Sequence, residues 1–256
     1  MESLDAEARR ATLAALLVEH GFVAVAEAST RLGVSEVTVR TDLTVLAARG
    51  IARRVHGGAV AAGSVREAPV EATAERDAEL KRAIGGAAAA LVTSGSSLML
   101  DVGSTTHAVA TALVARTDLS DVVVITNGLS IALTLEAAIP RFTVIVTGGS
   151  LRPLQHSLVD ALAVDTVRGL HADLAILGCT GVADGRVTNV NLPEAAVKRA
   201  MISASTARVL VSDTSKFGRH DLSAVAPLAD FGTVVTAGPG ADALAVPAAT
   251  RLVVAA

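Results

Sequence analysis

The sequence of 256 residues has little cysteine and almost no aromatic side chains. Its single cysteine, Cys179, excludes an intramolecular disulfide and favours a reducing compartment, so we expect a cytoplasmic protein. Tryptophan and tyrosine are absent, which leaves aliphatic side chains to fill any core. The first residues lack the basic segment and apolar run of a secretory signal.

Long apolar runs are also missing. The uncharged stretch 83–100 is long enough to cross a bilayer, but Gly85, Gly86 and the polar segment 93–97 interrupt it. We therefore predict a helix, a turn and a strand there, and no membrane partner. The histidines show no metal-ligand spacing with Cys179 or with one another, so we predict no metal and no other cofactor.

The stretch 33–60 carries the clearest local pattern. Val39, Leu43 and Leu46 recur at helical spacing and predict a helix from Glu36 to about Arg49. Its limits agree with local chemistry, because a serine precedes it as a capping residue and a glycine follows it. Two further helices, 6–20 and 24–32, precede it, and residues 51–60 predict a two-stranded wing.

The polar face of the predicted helix and the wing carry hydroxyl and cationic groups. Arginine reads guanine edges in the major groove, and hydroxyls can read either type of base pair. Between residues 31 and 60 there are five arginines and two acidic residues, on a chain of net charge −3. This local excess favours DNA binding over the alternative of a solvated surface helix. The candidate DNA-binding residues are Ser35, Glu36, Thr38, Arg40, Thr41, Arg53, Arg54 and His56.

The segment VSEVTVRTDL followed by RRVHGGA resembles the helix-turn-helix signature of the DeoR family of bacterial repressors. The resemblance runs from about residue 9 to residue 60. It implies a winged helix-turn-helix domain that binds operator DNA. The chain departs from the family at Thr41, where a second basic residue is usual.

Downstream, short apolar runs alternate with helical patterns. Continuous apolar runs favour strands buried on both faces, and hence a mainly parallel α/β fold. A helix is predicted over 71–91, with others at 105–115, 129–138, 158–170 and 194–206. The predicted strands are 98–100, 122–125, 144–146, 174–177, 209–211, 234–235 and 252–254. The predicted domains are a winged helix-turn-helix at 1–60, a linker at 61–70 and an α/β domain at 71–256.

Small polar loops follow five of the predicted strands. Ligands in open α/β sheets bind beyond the carboxyl ends of the strands. Glycine lets backbone N–H groups approach an anion, and a following helix N-terminus favours negative charge. Such loops are also common for turn geometry alone, but five in succession favour a site for a small phosphorylated metabolite. Asp101 and Asn127 would suit sugar hydroxyls.

This half of the chain also resembles the DeoR family, through DVGSTT, ITNG, TGGSLR, LGCTG, EAAVKRAMI and VSDTSKFG. The resemblance implies an effector-binding domain similar in fold to ribose-5-phosphate isomerase and the CoA transferases. Two departures are Asp160, where the family usually has glycine, and Ala237, where it usually has aspartate. The resemblance implies a pocket bordered by Asp101, Gly103, Ser104, Thr105, Thr106, Thr126, Asn127, Gly148, Gly149, Arg152, Lys198 and Lys216.

We therefore predict a non-enzymatic repressor of a carbohydrate-metabolism operon, relieved by a phosphorylated sugar or related metabolite. Paired operator half-sites imply a homo-oligomer, either a dimer or a tetramer. One alternative is a sugar-phosphate isomerase or deaminase with an accessory DNA-binding head, for which Asp101, Asp213, Glu194 and Lys216 are candidates by residue type. Another is a DNA-binding protein without an effector, in which the α/β half serves only for oligomerisation.

Overall fold

A computed structural model describes residues 5–20, 22–55, 57–61, 69–75 and 77–256. The chain divides into two compact units, an N-terminal unit of residues 1–76 and a C-terminal unit of residues 77–256. No helix among the described residues is long and apolar enough to cross a membrane. Most of the predicted linker, residues 62–68, lies outside the described residues.

The N-terminal unit contains the three predicted helices and one strand more than predicted. Strands β1 (Phe22–Ala24), β2 (Ala52–Val55) and β3 (Gly58–Ala61) form a sheet of order β1-β3-β2 with antiparallel pairs. The second helix starts one residue later than predicted because the segment before it pairs with β3. The elements are α1 (Ala6–His20), β1 (Phe22–Ala24), α2 (Val25–Leu32), α3 (Glu36–Ala48), β2 (Ala52–Val55), β3 (Gly58–Ala61) and α4 (Val70–Glu75).

The helix α3 has the limits and the buried face that its sequence predicts. Ser35 caps it, since its side chain accepts a hydrogen bond from the backbone N–H of Thr38 at 3.2 Å. Gly50 follows it with φ +71°, a conformation that glycine adopts without strain. Val39 and Leu43 are fully buried against α1 and the sheet, so the opposite face of α3 is left to solvent.

The helix predicted over 71–91 is wrong as a single element. It is two helices, α4 and α5 (Ala78–Ala89), and they lie in different units. Asp77, just before α5, has φ +53°, which a continuous α-helix does not allow.

The C-terminal unit is built on a seven-stranded parallel sheet of order β15-β14-β12-β9-β4-β5-β6. All seven predicted apolar runs are strands of this sheet, which confirms the predicted α/β fold. Its strands are β4 (Ser97–Leu100), β5 (Val122–Thr126), β6 (Phe142–Val146), β9 (Ala172–Leu177), β12 (Ser205–Asp213), β14 (Thr233–Ala237) and β15 (Arg251–Val254). The other strands are β7 (Ser150–Arg152), β8 (Ser157–Val159), β10 (Gly181–Ala183), β11 (Arg186–Asn189) and β13 (Ser223–Pro227).

Helices cover both faces of the sheet. On β4, Leu98 and Leu100 belong to the core beneath α5, α6 (Ser104–Ala115) and α7 (Leu129–Leu135). The residue between them, Met99, faces the second core with α8 (Asp160–Arg168) and α9 (Leu192–Ser203). All three side chains are fully buried, because alternate positions of a strand face opposite sides.

Several helix limits differ from prediction by one to three residues, most of them in α8 and α9. Helix α8 begins at Asp160 and not at 158, because β8 forms an antiparallel hairpin with β7. Helix α9 ends at Ser203, since Ser205 already pairs with β9. The hairpin and the antiparallel sheet β10-β11-β13 were not predicted from the apolar runs.

Candidate DNA-binding surface and effector site

The outward face of α3 presents the polar residues expected at a DNA-reading surface. Glu36, Arg40 and Thr41 are exposed, as is the capping Ser35, and Thr38 is half-buried. Arg40 Nη2 lies 2.6 Å from Glu36 Oε2, so the guanidinium is held by an exposed carboxylate one turn earlier. The surface therefore offers hydroxyl, carboxylate and guanidinium groups on one side of one helix.

Behind this face, an acidic residue of α3 is buried against α1. Asp42 is 1% exposed, and its oxygens accept from Arg9 Nε at 2.5 Å and from Arg10 Nε at 2.9 Å. Asp42 shares the buried face because it lies three or four residues from Val39 and Leu46. The spacing could be recognised in the sequence. The arginine partners of Asp42 could not, because they lie more than 30 residues away along the chain.

Of the two predicted wing arginines, Arg54 contacts the protein's own helix α3. Arg54 Nη1 donates to the Arg40 carbonyl oxygen at 2.6 Å and to Thr44 Oγ1 at 3.0 Å, so it contacts α3 itself. His56 and the side chain of Arg53 lie outside the described residues. Another arginine of the basic stretch, Arg49, pairs with Glu7 of α1 at 2.6 Å.

In the C-terminal unit, most of the predicted effector residues lie where parallel strands end. Asp101 follows β4, Asn127 follows β5 and Gly148 follows β6 closely, so all three lie at the carboxyl edge of the sheet. This is the edge at which open α/β sheets bind ligands. The hairpin β7–β8 and the start of α9 bring Arg152 and Glu194 together.

A buried ion pair lies at this edge. Lys198 Nζ of α9 contacts Asp101 Oδ2 and donates to the Gly178 carbonyl oxygen at 3.1 Å. Burial raises the pKa of Asp101 although Lys198 opposes that rise. Burial lowers the pKa of Lys198, but the carboxylates of Asp101 and Glu194 outweigh it and raise this pKa. Lys198 is therefore held by a carboxyl group and a backbone carbonyl of the protein itself.

A second ion pair joins the half-buried Arg152 to the buried Glu194. Glu194 Oε1 accepts from Arg152 Nη1 and from Ser157 Oγ, the latter at 2.6 Å. Glu194 Oε2 lies 3.5 Å from Asn189 Nδ2, a marginal hydrogen bond. Sequence reasoning placed Arg152 in the pocket, but not Ser157 and Asn189, because they come from separate strands of the unpredicted antiparallel elements.

Several predicted binding residues hold the scaffold together. Asn127 Oδ1 accepts from the Val102 N–H and its Nδ2 donates to the Leu158 carbonyl oxygen, both at 3.2 Å. Thr126 Oγ1 accepts from the Gly128 N–H at 3.1 Å. Gly149 has φ +133°, and a Cβ there would lie 2.3 Å from the Val159 carbonyl oxygen. A Cβ on the neighbouring Gly148 would meet Leu162 at 2.8 Å.

The first turn of α6 is the part of the predicted pocket best suited to an anion. Gly103 precedes it with φ +142°, and Ser104 and Thr105 are half-buried. First-turn N–H groups have no partner within a helix, and the helix dipole favours negative charge there. The buried Thr106 hydroxyl donates back to the Gly103 carbonyl oxygen at 3.0 Å and so shapes the turn. Lys216, which lies three residues after β12 in a short 3-10 helix, is half-buried.

Two buried polar atoms at the carboxyl edge lack a hydrogen bond within the described part of the chain. They are Asp101 Oδ1 and Thr147 Oγ1. A buried acceptor or hydroxyl without a partner costs free energy unless a ligand or water satisfies it. Thr147 was not among the predicted effector residues.

The two departures from the family pattern in the C-terminal unit lie in different surroundings. Asp160 is exposed and has φ +73°, a conformation in which glycine is unstrained. Ala237 is 1% exposed and packs in the core beneath α5. Among the residues described by the structure, no group of three or more histidine, cysteine, aspartate or glutamate side chains could hold a metal. Burial raises the pKa of the Cys179 thiol to about 11, so it is a poor nucleophile.

Comparisons with known proteins agree with this arrangement. The family model of the DeoR-like helix-turn-helix domain matches residues 9–65, and that of the DeoR C-terminal sensor domain matches residues 76–237. The chain is 32% identical over 225 residues to the glycerol-3-phosphate regulon repressor of Escherichia coli (strain K12), covering 88% of each protein. It is 34% identical to a putative aga operon transcriptional repressor of Escherichia coli O157:H7, covering 84% of this chain and 80% of that protein.

Solved structures are more distant. Ribose 5-phosphate isomerase A of Neisseria gonorrhoeae is 17% identical, with a TM-score of 0.39 over 54% of this chain and 53% of that one. The delta subunit of eIF2B from Chaetomium thermophilum is 15% identical, with a TM-score of 0.46 over 62% and 56%. Likenesses this distant say nothing about activity. The family matches, which together span most of the sequence, show that the chain belongs to the DeoR family of helix-turn-helix transcriptional regulators.

Proposed function

We propose that the protein is a sequence-specific repressor that acts in the cytoplasm on a carbohydrate-metabolism operon and is released by a phosphorylated sugar or a related metabolite. The observation that carries the DNA-binding part is the outward face of α3, where Arg40 and the hydroxyls of Ser35 and Thr41 share one exposed surface. Its relatives include repressors named for the glycerol-3-phosphate regulon and the aga operon.

Selection from a random duplex library tests the DNA-binding part. The wild-type protein should enrich one sequence and bind it with a steep dependence on salt, since phosphate contacts release counterions. Arg40→Ala should weaken binding to the enriched duplex by about tenfold or more, the value of a base-reading arginine. Arg168→Ala removes an exposed cation from the C-terminal unit and is the matched control. Unchanged affinity in Arg40→Ala would contradict this role for α3.

The effector part of the proposal rests on the carboxyl edge of the sheet. Arg152 and Lys198 are already paired with buried carboxylates. We therefore expect an incoming phosphate to contact the first turn of α6 and Lys216. We expect a sugar hydroxyl to donate to Asp101 Oδ1, which has no hydrogen bond among the residues that the structure describes. Binding to the folded state shifts the population towards a conformation with weaker DNA affinity.

A thermal-shift screen tests the effector part. The probes are sn-glycerol 3-phosphate and a panel of pentose, hexose and amino-sugar phosphates, with their unphosphorylated counterparts as controls. A true effector raises the melting temperature by mass action and also lowers affinity for the enriched duplex. Lys216→Met should weaken the shift, whereas Arg168→Met, with the same change of charge elsewhere in the unit, should not. If no phosphate binds, the α/β half serves another role, such as oligomerisation.

We also propose that the protein is not an enzyme. Isomerisation needs an acid and a base poised over one carbon of the sugar. Asp101 and Glu194 are each occupied by a cation, and Asp213 Oδ1 accepts from the Ser215 N–H at 3.0 Å. A turnover assay on ribose 5-phosphate and glucosamine 6-phosphate is the test. Product formation that is lost in Asp213→Asn would overturn this proposal.

The assembly that we propose is a homo-oligomer, a dimer or a tetramer. A symmetric oligomer would place two copies of α3 on paired half-sites one helical turn apart, or a multiple of it. Light scattering of the protein with and without the enriched duplex measures the stoichiometry. A monomer that binds a single half-site would contradict the proposal.

A further inference from the structure

Arg54 of β2 reaches across to α3. Its Nη1 donates to the Arg40 carbonyl oxygen at 2.6 Å and to Thr44 Oγ1 at 3.0 Å. We propose that Arg54 is a positioning residue, which fixes the orientation of α3 against the wing and so contributes to base specificity without gripping a phosphate. This proposal rests on the proposed DNA binding by α3.

The geometry of the guanidinium argues against a phosphate contact. Arginine holds phosphate most strongly through two parallel N–H bonds. Arg54 Nε is covered from solvent and makes no hydrogen bond within the described residues, and Nη1 is shared between two acceptors on α3. A two-pronged contact with phosphate would therefore require the side chain to leave α3.

Helix α3 is held by arginines from opposite sides. A helix turns by about 100° per residue, so Asp42 lies roughly 200° around the axis from both Arg40 and Thr44. Arg9 and Arg10 of α1 hold Asp42 on the buried side. Arg54 holds the backbone and side chain of α3 on the other side. The buried side is also held by the apolar core around Val39 and Leu43, so loss of the Arg54 contact leaves α3 fixed on its buried side only.

Orientation matters more for base reading than for attraction to the duplex. Hydrogen bonds to base edges depend on the placement of each side chain, whereas non-specific binding depends mainly on total positive charge. A positioning residue and a phosphate-binding residue therefore predict different losses. The first lowers affinity for the preferred sequence alone, and the second lowers affinity for every duplex.

The test measures binding to the enriched duplex and to a scrambled duplex of equal length across a salt series. Arg54→Lys keeps the charge but replaces the planar donor group. We expect it to bind the enriched duplex about tenfold more weakly, comparable to a base-reading contact, with the scrambled duplex and the salt dependence unchanged. Thr44→Val removes one acceptor of Arg54 at constant charge and should show a smaller loss of the same kind.

The double variant Arg54→Ala with Thr44→Val supplies the second readout. Because both changes remove the same contact between Arg54 and Thr44, the double variant should bind the enriched duplex only slightly more weakly than Arg54→Ala alone. Additive losses would overturn the proposal. A second result would also overturn it: Arg54→Lys binds like the wild type, and Arg54→Ala has a salt dependence lower by about one phosphate contact on both duplexes. Arg54→Lys and Thr44→Val carry the test even if Arg54→Ala does not fold.

The outcome is separable from that of the proposed function. If the wild-type protein enriches no duplex, sequence-specific binding itself is wrong. If it does, and Arg54→Lys behaves as the wild type, only the positioning role is wrong.

Discussion

The two units of the chain use their buried charges differently. In the N-terminal unit, buried Asp42 joins α3 to α1, and Arg40 stays on the exposed face of the same helix. In the C-terminal unit, the buried pair of Asp101 and Lys198 lies at the candidate ligand site itself. A DNA duplex binds at the protein surface and needs exposed cations, whereas a small ligand binds among buried polar groups that already interact with one another. Folding and recognition should therefore be separable in the first unit and linked in the second.

The largest effect should come from breaking the buried pair of the C-terminal unit. Lys198→Met leaves the Asp101 carboxylate buried without its cation. Breaking a buried pair from one side typically costs about 3–5 kcal/mol, and we expect the free energy of unfolding to fall by an amount in that range. Denaturant unfolding measures the loss, and hydrogen exchange in peptides of α9 assigns it to this unit.

The matched control removes both charges. Asp101→Asn combined with Lys198→Met should recover part of the stability, because no unpaired charge remains. Effector binding should not recover, since Asp101 Oδ1 is the acceptor proposed for a sugar hydroxyl. A double variant that is as unstable as Lys198→Met alone would show that the charge pair is not the cause.

In the N-terminal unit, Asp42→Ala tests whether the buried contact supports folding more than recognition. Its partners are partly exposed, with Arg9 at 11% and Arg10 at 21% of the side chain, so both can turn towards water. We therefore expect a smaller loss than in the C-terminal unit, about 2 kcal/mol of unfolding free energy. Denaturant unfolding of the full chain measures it.

Glu36→Ala is the matched control on the same helix. Glu36 pairs with Arg40 on the exposed face, and such pairs contribute about 0.5 kcal/mol or less. It should leave stability nearly unchanged and alter binding to the enriched duplex. Equal losses of stability in the two variants would remove the difference between the faces of α3.

Local patterns predicted much of the fold. The apolar spacing of α3 and the seven apolar runs of the sheet needed no knowledge of distant residues. The hairpin β7–β8 could not be predicted in this way, because Ser157–Val159 forms a strand by pairing with Ser150–Arg152 and not by its own pattern. The break before α5 depends on the left-handed backbone of Asp77, which a charged helical sequence does not indicate.

The candidate site was predictable in place but not in detail. The loops after the strands and the family motifs brought Asp101 and Lys198 to one edge of the sheet. Neither indicated that the two would pair with each other, nor that Asn127 would use both its polar atoms on the backbone. Such partners are set by tertiary packing. The expectation that Asn127 contacts a sugar now competes with that structural role.

A smaller test concerns Asp160, which has φ +73° at the start of α8. Aspartate tolerates this conformation better than most residues, but glycine adopts it without strain. The test compares Asp160→Gly with Asp160→Asn. Both substitutions remove the charge near the helix N-terminus, so they differ in how easily the residue adopts the positive φ. The glycine variant should be more stable than the asparagine variant by about 0.5 kcal/mol of unfolding free energy, and should therefore have the higher melting temperature. An asparagine variant that melts higher would show that the backbone there is not strained.

The smallest expected effect concerns pH and the half-buried His107 of α6. Burial lowers its pKa from the usual 6.5, so the folded state resists the proton that the unfolded chain accepts. Its contribution to stability therefore falls as pH falls from 6.5 towards the folded pKa. His107→Gln removes this titration. As the pH falls from 7.5 to 5, the wild type should therefore lose stability that the variant does not lose, and the difference between their melting temperatures should shrink.

The control is His171→Gln. His107 and the exposed His171 each lie 2.9 Å from a threonine hydroxyl, so the two variants lose a similar contact and differ in the burial of the ring. A difference for His107→Gln that stays constant with pH would show that burial of this ring does not link stability to protonation.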